Sequence, residues 1–379
     1  MSATAHPTSV LPTYARAPVT FVRGEGSWLF DADGKRYLDL LAGIAVVSLG
    51  HCHPAPVAAA KEQLDRLWHA SNLYWTEPMA ELAARLSERF GGASSFFCNS
   101  GAEAIEAAIK YARKATGKLG IVALEGGFHG RTLGALSVPG QPAKRAAFEP
   151  LVAGVSFVPA NDLAALAAAV GPDTGCILLE PIQGEGGIHP LEPAFLRGAR
   201  SLADEHGALL ALDEIQCGMG RTGSFFAWQA LDVHPDLVTL AKALANGLPI
   251  GCLLVSDDAP EGFVPGDHGS TFGGNPVAAA AACAVLETID DALLADVRAK
   301  GELLAAGLAS LPGVLEVRGR GLMLGAALDR PVGPVIDAAR ERGLVVGSAG
   351  DTVLRLTPPL TVTTEELEHA LGTLEEVLQ

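Results

Sequence analysis

The chain has 379 residues, of which 49% are hydrophobic and 18% are charged. This composition is typical of a globular protein, and the length allows one large α/β domain with a smaller companion. The formal net charge of -16, without any lysine- or arginine-rich run, argues against binding to nucleic acid, because phosphates are neutralised by a basic surface.

The first predicted element is a β-hairpin in residues 26–43, where two alternating segments flank Asp33 and Gly34. Helical periodicity follows in residues 55–70 and in residues 77–90. From there to about Cys252, short apolar runs alternate with helical ones. This alternation predicts an α/β fold with a mostly parallel central sheet and helices on both faces.

An alanine-rich helix from Pro276 is predicted to lead into strands and a capped C-terminal helix. We expect the two chain ends to form one smaller α+β domain. The predicted limits are residues 1–49 and 276–379 for this small domain and residues 50–275 for the large, cofactor-binding domain.

The sequence also bears on the cellular location of the protein and on metal binding. The start of the chain lacks the pattern of a signal peptide, and no apolar run reaches the ~18 residues needed to span a membrane. Six scattered cysteines are typical of free thiols in a reducing compartment. We therefore expect a soluble, cytoplasmic protein. A "HCHP" segment at His51 lacks a second ligand cluster, so no metal site is predicted.

Ligands of open α/β sheets bind at the carboxyl ends of the strands. Gly101 and Ala102 follow one predicted strand and begin a helix. Free backbone N–H groups and the helix dipole make such a terminus suitable for a phosphate. The alternative is an ordinary capping box between Ser100 and Glu103.

Three further strand ends carry chemically useful side chains. Asp213 ends a buried run, where a carboxylate requires a cation or a strong donor. Phe128 lies in a glycine-rich loop after another strand. Lys242 ends a third strand and is the only lysine between Lys144 and Lys300. It is either a stem that extends to solvent or a nucleophile with a lowered pKa.

A phosphate site, an aromatic ring, a buried acid and a solitary lysine are together what pyridoxal 5'-phosphate requires. Its aldehyde forms a Schiff base with a lysine, and an aspartate keeps its ring nitrogen protonated. Because each feature follows a strand, one pocket can contain them all. The sequence therefore predicts pyridoxal phosphate as the cofactor and Lys242 and Asp213 as catalytic residues.

Seven segments carry a family resemblance, and they are "NSGAEA", "FHGRTLGALS", "EPIQGEGG", "LDEIQCGMGRTG", "LAKALANGLPIG", "GSTFGGNP" and "LRLTPPL". In order and spacing they resemble the class III aminotransferases of pyridoxal-phosphate fold type I. Within that class the chain is most similar to the acetylornithine aminotransferases, from about Tyr14 to the final helix.

The resemblance implies roles for individual residues. The implied cofactor contacts are those of Gly101, Ala102, Phe128, Asp213, Gln216, Lys242 and Thr271. Thr271 would reach the phosphate of the neighbouring subunit, so the resemblance implies a homodimer with shared active sites. The implied substrate-binding residues are Tyr14, Arg131, Glu185, Ser270 and Arg355, with Glu185 pairing with Arg355 when the amino donor is admitted.

The implied reaction moves the δ-amino group of N2-acetyl-L-ornithine to 2-oxoglutarate, which gives the 5-semialdehyde and L-glutamate. Alternatives within the class act on succinylornithine, 4-aminobutyrate, ornithine or a carrier-bound lysine precursor. Ile44 stands where ornithine aminotransferases carry an aromatic hydroxyl, which favours an acylated donor. A nicotinamide oxidoreductase is disfavoured because no GxGxxG turn follows a predicted strand.

Overall fold

The computed structural model describes residues 9–379. Its strands are β1 (Phe21–Glu25), β2 (Trp28–Asp31), β3 (Arg36–Asp39), β4 (Ala93–Cys98), β5 (Gly120–Leu124), β6 (Val155–Val158), β7 (Thr174–Leu179), β8 (Ile182–Gln183), β9 (His189–Pro190), β10 (Leu209–Asp213), β11 (Leu237–Leu240), β12 (Gly251–Ser256), β13 (Val314–Arg320), β14 (Met323–Leu328), β15 (Leu344–Val345), β16 (Gly347–Ser348) and β17 (Val353–Leu356).

The helices are α1 (Ala42–Ala45), α2 (Pro54–Arg66), α3 (Glu77–Phe90), α4 (Gly101–Thr116), α5 (Leu133–Ser137), α6 (Pro142–Arg145), α7 (Leu163–Ala169), α8 (Pro193–His206), α9 (Pro276–Thr288), α10 (Asp291–Ala309), α11 (Val332–Glu341) and α12 (Thr364–Leu378). The first is a single distorted turn, in which Gly43 and Ile44 have positive φ.

A seven-stranded sheet with the order β4-β12-β11-β10-β7-β5-β6 forms the centre of the molecule. Six strands run parallel to one another, and β12 runs antiparallel to both of its neighbours. Every residue of β7, β10 and β11 is buried, because helices cover both faces. The predicted α/β class with a mostly parallel sheet is confirmed.

The two ends of the chain meet in a second sheet of order β1-β2-β3-β15. Strands β2 and β3 form the predicted hairpin, and Gly34 in its turn has φ of 83°, where glycine is favoured because it has no Cβ. Strand β15 comes from the C-terminal segment and pairs parallel with β3, with Leu344 opposite Leu38. Strand pairing therefore joins segments 300 residues apart.

A third sheet, of order β13-β14-β17-β16, is antiparallel and packs with α10, α11 and α12. Helix α12 begins with the predicted capping box between Thr363 and Glu366. Leu38 and Leu40 of the N-terminal segment share one core with Leu324 and Leu374 of the C-terminal segment. The exact limits of the two domains stay a prediction.

Helix α9 is apolar on almost every side, and Ala278, Ala282 and Val285 are buried in the core of the central sheet. It packs against α2 and α3. No helix within residues 9–379 combines the length and apolar character that crossing a bilayer requires.

Candidate active site

A cavity of about 290 Å³ opens at the edge of the central sheet where its parallel strands end. Asn99, Glu180, Asp213 and Lys242 each follow or end a strand of this sheet, as expected for a ligand site in an α/β fold. Of the residues predicted from the sequence, the cavity is lined by Gly101, Ala102, Phe128, Asp213, Gln216 and Lys242.

One wall of the cavity is the first turn of α4. The Ser100 hydroxyl accepts a hydrogen bond from the Glu103 N–H at 3.2 Å, so the helix has the predicted side-chain cap. Gly101 is tightly packed, because a Cβ at this position would lie 2.8 Å from Ile215 Cδ1. The remaining N–H groups and the helix dipole make this wall suitable for an anion such as a phosphate.

The cavity lining also includes the Asp213 carboxylate, which is buried. Its Oδ1 accepts hydrogen bonds from the Ile215 N–H at 3.0 Å and from the Thr239 hydroxyl at 3.3 Å. Its Oδ2 lies 2.7 Å from Nδ1 of His129. Burial acts to lower the pKa of His129, but the bond to Asp213 and the charges of Asp213 and Glu180 together outweigh it, and the pKa is raised. Asp213 is thus held in place in the cavity lining by His129, Ile215 and Thr239.

Glu180 is a second buried acid that the sequence did not single out. It accepts hydrogen bonds from the Phe128 N–H at 2.8 Å and the Gly184 N–H at 3.0 Å. Burial raises its pKa to about 7, and His129 opposes this rise. Glu180 therefore fixes two loops at the cavity. Its position directly after the apolar run of β7 is the signal that could have identified it.

Lys242 follows β11 and has φ of 42°. This left-handed conformation is unfavourable for a residue with a Cβ and clusters at functional sites. Burial lowers the pKa of its ammonium group, and Asp213 is the strongest charge acting in the opposite direction. The side chain lines the cavity together with Asp213. It is therefore not the solvent-directed stem that the sequence left as an alternative.

Phe128 contributes an aromatic face to the cavity. The guanidinium carbon of Arg131 lies 5.4 Å from the centre of its ring, within the range of a cation–π contact. Arg131 itself is exposed at the outer side of this ring. The structure thus brings Arg131 to the mouth of the cavity rather than into its lining.

Arg355 extends from β17 toward the cavity and forms an ion pair with Glu185. Its Nη1 also donates to the Gly184 carbonyl at 3.1 Å and to Oε1 of Gln216 at 3.3 Å. Burial acts to raise the pKa of Glu185, but Arg355 acts in the opposite direction and the net pKa is lowered. The carboxylate is therefore ionised at neutral pH. Nε of Arg355 is buried and has no partner within residues 9–379.

Besides Arg131, Glu185 and Arg355, three more of the predicted residues lie outside the cavity lining. Ser270 is at its edge, where its hydroxyl accepts a hydrogen bond from the Asn99 side chain at 3.1 Å. Thr271 is exposed and lines a separate small cleft with Asn72. Tyr14 is 74% exposed, and Arg16 lies over its ring. Within one chain, Thr271 and Tyr14 therefore lie apart from the predicted residues that line the cavity.

The groups that line the cavity fit pyridoxal phosphate. A helix N-terminus suits its phosphate, a buried carboxylate suits a protonated ring nitrogen, and an amine of lowered pKa suits its aldehyde. All of these groups line one cavity, together with the Phe128 ring. A simpler phosphate site would require neither the buried carboxylate nor the buried amine.

Residues 11–378 match the family model described as "Aminotransferase class-III". The acetylornithine aminotransferase of Corynebacterium efficiens is 51% identical, over 99% of this chain and 96% of that protein. The enzyme of the same name from Myxococcus xanthus is 48% identical, over 95% and 93%.

Solved structures agree with these relatives. The N-acetylornithine aminotransferase of Stenotrophomonas maltophilia has a TM-score of 0.84 and 39% identity, over 96% of each chain. The ornithine aminotransferase of Toxoplasma gondii, with pyridoxal phosphate at its active site, has a TM-score of 0.93 and 32% identity, over 98% of this chain and 92% of that one. The present chain belongs to the class III aminotransferases and is a pyridoxal-phosphate-dependent enzyme.

Proposed function

We propose that this enzyme is an acetylornithine aminotransferase, which transfers the δ-amino group of N2-acetyl-L-ornithine to 2-oxoglutarate. The observation that carries the substrate assignment is identity of 48–51% to enzymes of that name over nearly their whole length. The products are N-acetyl-L-glutamate 5-semialdehyde and L-glutamate, so the enzyme would serve arginine biosynthesis.

Pyridoxal phosphate, when bound, supplies an aldehyde that takes up the amino group and a ring that accepts electrons from a breaking C–H bond. The N–H groups of Gly101 and Ala102 would hold its phosphate. Asp213 would hold the protonated ring nitrogen, with Gln216 near the ring hydroxyl and Phe128 on the ring face. Each of these side chains or N–H groups lies in the lining of the cavity.

Lys242 would anchor the cofactor and act as general base. An unprotonated amine is required for both tasks, and burial lowers the pKa of Lys242 in that direction. Its Nζ would take a proton from the carbon that carries the amino group in the first half of the cycle and pass it on within that half. In the second half it would deliver a proton to the carbon that was the 2-oxo carbon of the acceptor. The surrounding buried walls would exclude water from this transfer.

Arg355 and Glu185 support a cycle with two different substrates. Acetylornithine brings an uncharged chain near the cofactor, whereas 2-oxoglutarate brings a carboxylate. While Glu185 pairs with Arg355, the guanidinium is neutralised and the donor can enter. When Glu185 moves away, Arg355 is free to bind the α-carboxylate of the 2-oxo acid in a bidentate manner.

The choice of an acylated donor rests on the entrance of the cavity as well. Ile44 and Val46 belong to the segment that reaches this entrance, and Val46 lines the cavity. Neither side chain offers a partner to a free α-ammonium group, so free ornithine would lose hydrogen bonds on entry. The amide of acetylornithine carries no charge and avoids most of this penalty.

A homodimer with shared active sites is part of the proposal. Thr271 and Tyr14 are exposed in the single chain, and a partner chain would bring Thr271 to the phosphate of the neighbouring site. An apolar surface surrounds Thr271, including Trp75 and Phe272. A cytoplasmic location is supported by six free cysteines, of which only Cys52 is exposed.

A donor panel on the purified holoenzyme tests the proposal. Acetylornithine, succinylornithine, ornithine and 4-aminobutyrate would each be supplied with 2-oxoglutarate, and glutamate formation would be followed. We expect kcat/KM with acetylornithine to exceed that with ornithine and 4-aminobutyrate by about tenfold or more. An unpaired charge in an apolar pocket, such as the free α-ammonium group of ornithine, causes a loss of this size. A higher value with 4-aminobutyrate than with acetylornithine would overturn the assignment.

A further inference from the structure

Lys144 lies at the mouth of the cavity and has no role in the mechanism described above. It belongs to α6, and its Nζ is 4.8 Å from the centre of the Phe128 ring. Arg131 contacts the same ring from 5.4 Å. Two cations therefore share one aromatic side chain whose ring lines the active site.

Neither cation has a counter-ion in the part of the chain that the structure describes. No carboxylate within residues 9–379 lies at salt-bridge distance from Lys144 or Arg131. The nearest charges acting on Lys144 include Glu185, which is already paired with Arg355. In a chain with a net charge of -16, two adjacent unpaired cations at a cavity mouth are unusual and are suited to an anionic ligand.

The position of Lys144 is fixed by the backbone around it. The Gln141 side chain donates to the carbonyls of Gly126 and Gly127 at 2.9 and 3.0 Å. Gly140 packs so closely that a Cβ would lie 2.3 Å from the Leu124 carbonyl oxygen. The segment that carries Lys144 is therefore fastened to the loop that carries Phe128.

We propose that Lys144 is a specificity-determining residue that binds, together with Arg131, the distal carboxylate of both substrates. This inference rests on the proposed function. The reacting carbon of 2-oxoglutarate is three bonds from its distal carboxylate carbon, and the reacting carbon of acetylornithine is four bonds from its carboxylate carbon. With either reacting carbon at Lys242, the carboxylate points away from it, toward the mouth where the two cations lie.

The test compares Lys144→Gln with Lys144→Arg and with Lys61→Gln, a control on the exposed part of α2. In Lys144→Gln, KM for 2-oxoglutarate is expected to rise about tenfold with kcat within about twofold, because uniform binding is lost. Lys144→Arg keeps the charge and is expected to stay within about threefold of wild type. Rates with pyruvate, which has no distal carboxylate, are expected to be unchanged in all three.

Binding of inert acids gives a readout that does not depend on the amino donor. Calorimetry of the holoenzyme is expected to show about tenfold weaker binding of glutarate in Lys144→Gln, and equal binding of butyrate. Glutarate affinity within twofold of wild type, or a loss in Lys144→Arg as large as in Lys144→Gln, would overturn the role of Lys144. If only the donor panel failed, the acetylornithine assignment would be lost. The glutarate measurement would still decide the role of Lys144.

Discussion

Lys242 combines a buried amine with a left-handed backbone conformation, and both are unfavourable for folding alone. We expect Lys242→Ala to fold at least as stably as wild type, because an unfavourably buried amine is removed. Its kcat with acetylornithine should fall by about 10³-fold or more, through loss of the general base. Steady-state rates and thermal unfolding would measure the two effects.

The same variant separates anchoring from binding. Borohydride is expected to fix the cofactor to the wild-type chain, seen as a mass increase of the intact protein, but not to Lys242→Ala. Lys61→Ala serves as the control and should behave as wild type. Near-normal transamination by Lys242→Ala would refute the assignment of the anchor.

Glu214 predicts a pH dependence of stability. Burial raises its pKa to about 8, although the N–H groups of Trp228 and Ala227 oppose the rise. Between an unfolded value near 4.5 and about 8, the folded chain keeps a proton that the unfolded chain has released. The contribution of Glu214 to stability therefore falls as pH rises through this window, by up to about 1.4 kcal/mol per pH unit.

Glu214→Gln removes this titration. The unfolding midpoint in urea, measured from pH 5 to pH 8, should decline less steeply in the variant than in wild type. The variant is also expected to be less stable by about 1–3 kcal/mol at pH 5, because one of the two N–H groups loses its acceptor. Glu205→Gln, on the exposed side of α8, is the control. Equal slopes in all three proteins would contradict the prediction.

At the residue level, the sequence predicted the side chains that end buried strands. Lys242, Asp213 and Phe128 could be identified because a polar or aromatic side chain directly follows an apolar run. Glu180 carries the same signal after β7 but was not selected. The contact of His129 with Asp213, and that of Lys144 with Phe128, depend on the path of loops that no periodicity encodes.

At the level of elements, hydrophobic periodicity predicted the strands but not their direction. Strand β12 has the same apolar pattern as its neighbours, yet it runs antiparallel to them. Strand β6 is short and only partly buried, so its alternation of apolar and polar residues was too weak to predict a strand. Helices α10 and α11 were also not predicted, since no element was assigned to residues 291–309 or 332–341.

Glu366 connects the two ends of the chain. Besides its part in the capping box of α12, it accepts hydrogen bonds from the Ser27 hydroxyl at 2.9 Å and from Nε1 of Trp28 at 2.7 Å. We expect Glu366→Ala to lower the free energy of unfolding by about 2–4 kcal/mol, because the variant loses the cap and both bonds.

Thr363→Ala is the matched control for this prediction. It removes the cap of α12 alone and is expected to lower the free energy of unfolding by about 1 kcal/mol. Denaturant unfolding of both variants provides the comparison. If Glu366→Ala were no less stable than Thr363→Ala, the bonds to Ser27 and Trp28 would contribute nothing to joining the chain ends.

At the scale of the whole molecule, the proposed site residues come from two separate sheets. Lys242 and Asp213 come from the central sheet, whereas Arg355 comes from β17 of the C-terminal antiparallel sheet. The pair of Arg355 with Glu185 is thus also a contact between these sheets. Small movements of one sheet against the other would alter the pair of Arg355 and Glu185 and leave Lys242 and Asp213 in place.

An apolar surface next to the site predicts the assembly. Trp68, Leu73 and Trp75 are 68%, 85% and 86% exposed, and Phe272 is 59% exposed. The segments are linked, because the Asn72 side chain donates to the carbonyls of Ser270 and Gly273. Such a surface on a single chain is typical of an interface, and Thr271 is next to Phe272 in the chain.

We expect Trp75→Glu to convert the proposed dimer to monomers, because a carboxylate in an apolar interface is left without a partner. Sedimentation velocity would show the change in mass. If Thr271 acts on the phosphate of the neighbouring site, the monomer should also bind pyridoxal phosphate at least about tenfold more weakly, measured by equilibrium dialysis. Leu315→Glu, at a 71% exposed position of β13, is the control and should remain dimeric. A Trp75→Glu monomer with full cofactor affinity would mean that each chain holds its cofactor unaided, and shared sites would be excluded.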